Sequence, residues 1–244
     1  MDFGFLALLA LIAILYSSVG HGGASGYLAL MALYGFAPEV MKPSALILNV
    51  CVALIAAIQF QRSEKINWKL FLPLIVGSIP MAYLGANMSL DADIYKKLLG
   101  AVLIFQSFRL FGILMPLGVQ ENEKPHGWIG PVFTGAAIGL LSGLIGIGGG
   151  IILSPLLLLF RWCSIKQTAL LSAGFIFVNS VSGLVAIGEP SIKIASEMSE
   201  SLAIGILGGV LGGWLGSKKF NSRALQITLG IVLLFAGSKL IFAF

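Results

Sequence analysis

Two glycine clusters contain the residues of this chain that are best suited to chemistry. The first is Gly20-His21-Gly22-Gly23-Ala24, and the second, 126 positions later, is Gly146-Ile147-Gly148-Gly149-Gly150. Glycine weakens a helix, so each cluster should interrupt the apolar segment around it. A helix that begins after such a break offers unpaired N–H groups and a positive dipole end, and glycine lets a ligand approach the backbone. This combination predicts an anion-binding site.

Three polar side chains add to this site. His21 is the only titratable residue within a cluster, and it could contact an anion, carry a proton or bond a local carbonyl. Asn49 and Asn179 occupy equivalent positions in two later apolar segments, where an unpaired amide is costly. Each amide is expected to cap a broken helix or to contact the ligand. The predicted ligand-binding residues are Gly20, His21, Gly22, Gly23, Ala24, Ser25, Asn49, Gly146, Gly148, Gly149, Gly150, Ile151 and Asn179.

A structural interpretation of the small and polar residues stays open beside this one. Small residues let membrane helices cross closely, as the spacing of Gly205, Gly208 and Gly212 indicates. Arg109 and Lys239, each near a predicted helix end, are expected to extend toward the membrane interface. Serines near the clusters could donate to a ligand or pair with helix carbonyls. These serines are Ser25, Ser44, Ser154, Ser172 and Ser180.

The composition is that of an integral membrane protein. Hydrophobic residues make up 58% of the 244 residues, charged residues only 10%, and the mean hydropathy is +1.00. A soluble domain carries about 25% charged residues. Roughly eight to ten apolar segments are expected to cross or enter the bilayer. The N-terminus has no basic region, so a cleaved secretory signal is not expected, and Cys51 and Cys163 form no disulfide framework.

The chain also repeats itself. Residues 46–49 and 176–179 correspond at an offset of 130, as do residues 99–105 and 229–235. Four residues inserted after the second glycine cluster explain the change from an offset of 126. The predicted halves are residues 1–115 and 128–244, joined by a linker at 116–127. The predicted apolar segments are 3–19, 24–35, 44–60, 70–86 and 95–115, then 128–145, 151–160, 168–187, 201–216 and 224–243.

The distribution of basic residues predicts how the two halves are oriented. Nine lie in the connections 61–69, 116–127, 161–167 and 217–223, and four lie in the opposite set, so the first set should be cytoplasmic. In the first half the basic loop follows the third segment, whereas in the second half it follows the fourth, and 188–200 is acidic. This pattern predicts opposite orientations for the halves, with both termini outside the cell membrane. The pI of about 9.3 is therefore attributed to orientation, not to nucleic-acid binding. The four opposite residues are Lys42, Lys96, Lys97 and Lys193.

The expected fold is an all-α integral membrane protein. It is an inverted repeat of two five-segment halves, in which glycine breaks create helical hairpins that reach deep into the membrane. Segments 24–35 and 151–160 would extend only about 18 and 15 Å at 1.5 Å per residue. Neither crosses a hydrocarbon core of about 30 Å comfortably. Two complete but strongly tilted spans are the alternative to each hairpin.

The paired glycine motifs resemble those of the sulfite exporter TauE/SafE family. The matching residues are 20–23 in the first half, and 146–150 with the downstream Pro155 in the second. The duplicated layout matches as well, so the resemblance covers almost the whole chain. It implies a secondary transporter of the inner or plasma membrane that handles small sulfur-containing or organic anions.

The resulting functional hypothesis is alternating-access transport of a small anion, with protons or the membrane potential as the candidate driving force. A passive anion channel is the alternative, because the same turns could line a pore. An intramembrane enzyme is disfavoured, since no paired acids, nucleophile or metal-ligand set stands out, and the glycine clusters lack the GK[ST] of a P-loop. No catalytic residue, metal or cofactor is expected. The expected partners are a small anion and the lipid bilayer, and the sequence is compatible with a monomer or an oligomer.

Overall fold

Helices account for all the regular structure that is described. The computed structural model describes residues 3–18, 23–61, 64–113, 127–216 and 222–242. Ten helices overlap the ten predicted segments. The helices are α1 (Phe3–Ser18), α2 (Ala24–Leu33), α3 (Pro38–Gln61), α4 (Trp68–Asn87), α5 (Ala92–Leu110), α6 (Ile129–Ile145), α7 (Gly150–Leu159), α8 (Ile165–Ile187), α9 (Glu189–Glu197), α10 (Ser199–Gly216) and α11 (Ser222–Phe242).

The helix α9 differs from the sequence-based expectation, which placed a loop at 188–200. Pro190 stands in the first turn of α9, where its missing N–H has no partner to lose. Lys193 and Glu197 are one turn apart, with 3.9 Å between the ammonium and a carboxylate oxygen. The helix meets α10 at a bend of 82°. The connection between α8 and α10 is therefore a short polar helix that also contacts α3.

The helices have the length and surface expected in a membrane. Among the described residues, three helices are long and apolar enough to span a bilayer: α3, α4 and most of α8. The bent pair α9–α10 qualifies together, and five shorter helices are apolar. Large hydrophobic side chains such as Phe133, Val185, Leu207 and Phe235 are exposed on the outer faces. A water-soluble monomer rarely exposes such continuous apolar surface, so the chain is a multi-pass membrane protein.

Small residues set the closest helix contacts. Gly135, Gly139 and Gly143 of α6 each face a backbone carbonyl of α4, belonging to Leu74, Ser78 and Ala82 respectively. Because the residue numbers increase in the same direction along both helices, α4 and α6 run parallel. Similarly, α10 packs along α1, and Gly208 and Gly212 contact Ala13 and Ile14. The close-packing role predicted for the glycines of α10 is confirmed at these positions.

Two pairs of helices at equivalent places in the predicted halves, α5 with α11 and α3 with α8, run antiparallel. Gly100 of α5 lies against Gly237 of α11, while Gly230 lies against Phe111 near the other end of α5. In α3 and α8, Leu46 contacts Gly183, and three residues later on α3 Asn49 lies near Gly148 together with Ser180 of α8. The long helices α3 and α8 thus cross at the level of the second glycine cluster. Their crossing positions the candidate site.

Candidate anion-binding site

The second glycine cluster forms a turn between α6 and α7 that requires glycine. Gly146, Gly148 and Gly149 have φ angles of 89°, 72° and 79°, a left-handed region that side chains with a Cβ rarely adopt. Gly149 is the N-cap of α7 and provides no side-chain cap. The first N–H groups of α7 therefore lack both an intrahelical carbonyl and a side-chain partner at the cap. They form the positive end of a helix inside an apolar bundle.

The first glycine cluster begins α2 in the same way. Gly23 is the N-cap of α2 with φ 72° and ψ −16°, almost the values of 79° and −17° at Gly149. Ala24 and Ser25 follow and are buried. Gly20, His21 and Gly22 lie outside the described residues, so their predicted roles stay predictions.

Gly148 is the glycine of the second turn that approaches polar side chains. A Cβ atom at Gly148 would lie 3.1 Å from Nδ2 of Asn49 and 3.2 Å from Oγ of Ser180. Asn49 also donates from Nδ2 to the carbonyl of Gly146 at 3.4 Å. The turn therefore brings together residues from α3 and α8. The structure thus places Asn49, Gly146 and Gly148 in one cluster.

Gly149 and Gly150 face the apolar core instead. A Cβ at Gly149 would lie 2.8 Å from Cγ2 of Ile138 and 2.9 Å from Cε1 of Phe175. At Gly150 it would meet the side chain of Ile176 at 2.5 Å. Close helix packing requires these two glycines, whatever their backbone N–H groups bind. Gly148 is accordingly the position where close approach to polar groups matters most.

The cluster contains hydrogen-bonding capacity that the described residues do not use. Asn49 and Ser180 are both 0% exposed. Neither Oδ1 of Asn49 nor Oγ of Ser180 has a hydrogen-bond partner among the described residues. Oγ of Ser142, in the last turn of α6, is in the same state. Leaving a buried polar group unpaired costs about 1–3 kcal/mol. These groups therefore give the turn hydrogen-bonding capacity that a polar ligand could use.

Asn179 and Ser25 are buried, but the structure does not join them to this cluster by a hydrogen bond. Asn179 donates from Nδ2 to the carbonyl of Phe175 in its own helix at 2.9 Å. Its Oδ1 and the hydroxyl of Ser25 are without partners among the described residues. The predicted Ile151 is buried in the first turn of α7. A shared site between the two glycine turns therefore stays a prediction.

Several of the serines considered from the sequence have structural partners. Ser44 donates to the carbonyl of Val40 at 2.7 Å, while Ser154 and Ser172 lie 2.8 Å apart and join α7 to α8. Four further buried polar residues without partners among the described residues were missed. Their signal was a polar side chain inside an apolar segment. They are Tyr27, Ser78, Gln106 and Ser142.

Arg109 differs from the expectation that it extends toward the interface. It is half-buried and donates from Nη1 to the carbonyl of Ile151 at 3.1 Å. That carbonyl would normally accept from the N–H four residues later, but this residue is Pro155, which has none. Arg109 thus satisfies a carbonyl that proline leaves unpaired, and places a cation beside α7. Lys239, in contrast, is exposed and lies 3.3 Å from the carbonyl of Leu33.

The electrostatic character of the turn suits an anion. Every Asp and Glu among the described residues is exposed or half-buried. None is therefore buried near Gly148, whereas α7 directs its positive end at the turn and Arg109 lies close to its first residues. The described residues also contain no group of three His, Cys, Asp or Glu side chains that could hold a metal ion. Binding of a small anion by the backbone, hydroxyl and amide groups of this turn stays a prediction.

Comparisons with known proteins agree with the family resemblance. Residues 5–240 match the model of the family described as Sulfite exporter TauE/SafE. The chain is 31% identical over 235 residues to the Probable membrane transporter protein y4hK of Sinorhizobium fredii, covering 94% of each chain. It is 27% identical to the Probable membrane transporter protein MJ0441 of Methanocaldococcus jannaschii, covering 96% of this chain and 95% of that one. No solved structure matches it. The chain therefore belongs to the sulfite exporter TauE/SafE family of membrane transporters.

Proposed function

We propose that this protein is a secondary transporter that carries a small anion across the cell membrane by alternating access. The anion is a sulfur-containing oxyanion or an organosulfonate, bound at the Gly146–Gly150 turn. The observation that carries the proposal is the buried polar cluster at Gly148. The hydroxyl of Ser180 has no partner among the described residues, and the amide of Asn49 donates one N–H to the carbonyl of Gly146 and keeps a second for a ligand. Tetrahedral oxyanions and sulfonates accept several hydrogen bonds at once, which suits backbone N–H and hydroxyl donors around a glycine turn.

The first glycine turn is the second half of this proposed site. Gly23 and Gly149 have matching N-cap conformations, and α2 and α7 are each ten residues, or about 15 Å, long. In this proposal the anion is bound by the second turn together with residues of the first, which are Gly20, His21, Gly22, Ala24 and Ser25. Asn179 would serve the first turn as Asn49 serves the second.

Alternating access follows from the proposed inverted repeat. Equivalent helices pair across the two halves and run antiparallel, α3 with α8 and α5 with α11. A two-fold axis in the membrane plane would produce this relation, and transporters with such repeats bind substrate at the repeat interface. The bundle would then rock about the α3–α8 crossing, exposing the anion to each side in turn.

The decisive experiment measures transport by purified protein in liposomes. Radiolabelled sulfite, thiosulfate, sulfate and small sulfonates are offered to vesicles with and without the same unlabelled anion inside. A carrier gives saturable uptake and counterflow, in which internal unlabelled anion accelerates entry of the label. Linear uptake without counterflow would establish the channel alternative. If no tested anion moves faster than in protein-free vesicles, the proposed substrate class is wrong.

The orientation of the two halves can be tested with single cysteines. On a background without Cys51 and Cys163, cysteines at Lys65 and Arg223 should react with an impermeant maleimide only from the cytoplasmic side. A cysteine at Lys193 should react from outside. The expectation rests on the nine basic residues in one set of connections against four in the other. Labelling of positions 65 and 193 from the same side would contradict the inverted repeat.

Proton coupling through His21 can be tested by the pH dependence of affinity. A bound anion stabilises a protonated imidazole beside it, so anion binding and protonation of His21 should favour each other. By linkage, affinity should rise as pH falls through the histidine range, and binding should take up protons. His21→Gln keeps hydrogen-bonding capacity but should remove this dependence between about pH 5 and 8. If wild type and variant give the same affinity curve, His21 carries no coupling proton.

A further inference from the structure

A cavity of about 260 Å³ lies beside the second glycine turn, at the end of the bundle where α3 begins and α4 ends. Its wall includes Glu39, Lys42, Asn87, Ser89 and Tyr95. Glu39, Asn87 and Ser89 are exposed, so the cavity opens to the surroundings. It is more polar than the apolar groove between α4 and α8, which faces outward and suits lipid. Its place relative to the turn suggests a path for a ligand.

Lys42 separates this cavity from the turn. A Cβ at Gly146 would lie 3.0 Å from the carbonyl oxygen of Lys42 and 3.2 Å from its Cγ. The side chain therefore packs directly on the turn, and Lys42 is also part of the cavity wall. On the neighbouring side, the hydroxyl of Tyr95 donates to the carbonyl of Ile145 at 2.9 Å and fixes the end of α6.

The charge of Lys42 is not paired with a carboxylate. Its ammonium donates to the carbonyl of Ala86 at 2.8 Å and of Gly85 at 3.4 Å. The only ion pair among the described residues is Lys193 with Glu197. Glu39, one turn earlier on α3, also lines the cavity but lies beyond ion-pair distance of Lys42. A half-buried cation without a counter-ion attracts diffusing anions.

We propose that this cavity is an anion vestibule, in which Lys42 attracts small oxyanions and sulfonates toward the Gly146–Gly149 turn. Transport of the anion from the vestibule onward rests on the proposed function, whereas attraction of anions into the vestibule does not. The carbonyls of Gly85 and Ala86 hold the ammonium at the end of α4, as a cap would. A cap alone would affect stability, whereas a vestibule cation also sets the local potential.

The potential can be measured with a cysteine at Ser89, which is exposed and lines the cavity. The full-length protein, lacking Cys51 and Cys163, is labelled with an anionic and a cationic methanethiosulfonate of similar size. The measured ratio is the labelling rate with the anionic reagent divided by that with the cationic reagent. It should fall roughly threefold to tenfold in Lys42→Gln, because the attraction of the anion and the repulsion of the cation by one unit charge are both lost. Glu39→Gln should raise the ratio. The matched control is Lys166→Gln, an exposed lysine at the start of α8, about 31 Å along that helix from the cavity residue Ile187, which should leave the ratio nearly unchanged.

A salt titration makes the test independent of how well Lys42→Gln folds. In the Ser89→Cys protein with Lys42 intact, the ratio should approach that of the free reagents between 0.01 and 1 M salt, as the screening length falls from about 30 to 3 Å. A ratio unaffected by salt and by Lys42→Gln would overturn the proposal, as would a cysteine that neither reagent reaches.

Transport measurements separate this proposal from the proposed function. If the vestibule feeds a carrier, Lys42→Gln should raise KM for the transported anion several-fold while kcat is retained, and Lys42→Arg should restore KM. A charge-selective vestibule in a protein that moves no anion would contradict the proposed function and leave the vestibule intact. Wild-type KM in Lys42→Gln, together with an unchanged labelling ratio, would show that Lys42 is only a cap.

Discussion

Gly148→Ala should reduce anion transport by at least tenfold while leaving a folded protein. The added methyl would lie 3.1 Å from Nδ2 of Asn49, 3.2 Å from Oγ of Ser180 and 2.7 Å from Cγ2 of Ile176. It would occupy the space through which a ligand reaches the backbone and these two polar groups. We expect the loss in kcat/KM measured in liposomes, and in binding measured by calorimetry.

The chain contains a matched control for backbone strain. Gly35 has φ 77°, close to the 72° of Gly148, but a Cβ there would have nothing within 4 Å. Alanine at either position should cost roughly 1–2 kcal/mol, because both adopt the left-handed conformation. Gly35→Ala should therefore introduce the same backbone strain without the close contacts of Gly148, and should retain transport. Equal loss of transport in both variants would mean that strain, and not the site, explains the effect.

Ser180→Ala provides a milder probe of the same cluster. It removes the hydroxyl that lies nearest Gly148 without adding volume or changing the backbone. The variant should fold normally, because this hydroxyl has no partner among the described residues. Loss of one hydrogen bond to a charged ligand should weaken binding by about 1.5–3 kcal/mol. Unchanged affinity would remove Ser180 from the site.

Gly139→Leu should prevent the protein from folding. A Cβ at Gly139 would collide with the backbone carbonyl of Ser78 and lie 2.7 Å from its Cα. No rotamer relieves a clash between a Cβ and a neighbouring backbone, so α6 would have to separate from α4. We expect a loss of more than about 3 kcal/mol, seen as absence of a monodisperse peak in detergent and of a cooperative melting transition.

Gly127→Leu is the control for the Gly139 substitution. Gly127 precedes α6, and a Cβ there would have nothing within 4 Å. Leucine should change stability by less than about 0.5 kcal/mol, as surface substitutions usually do. If Gly139→Leu melts at the same temperature as Gly127→Leu, the close contact between α4 and α6 does not support the fold.

These two sites show how unequal the glycines of one chain are. Gly139 serves packing between two parallel helices, whereas Gly148 serves a turn whose neighbours are polar. Both lie in or beside small-residue-rich sequence, and composition does not distinguish them. The difference arises because α6 contacts α4 along its length but ends at the crossing of α3 and α8. Packing therefore explains Gly139, whereas the anion site at Gly148 stays a prediction.

The sequence by itself determined the membrane character, the helices and the places where they break. These properties are local or additive: hydropathy sums along a segment, and a glycine's tolerance of positive φ requires no partner. The turn at Gly146–Gly149 and the N-cap at Gly23 could be predicted for that reason. The same local signals also located Asn49 as a buried polar residue within an apolar segment.

Only the tertiary structure decided which of these residues meet. Asn49 lies 97 positions before Gly146, to which it donates, and no local pattern specifies that contact. The same holds for Ser180 at Gly148, for Arg109 at the carbonyl that Pro155 leaves unpaired, and for Lys42 between the turn and the cavity. Side-chain partners depend on how distant helices cross, and each crossing is fixed by close contacts such as those of Gly139 and Gly143 with α4. The sequence therefore predicted a glycine turn suited to an anion, and packing selected the side chains around it.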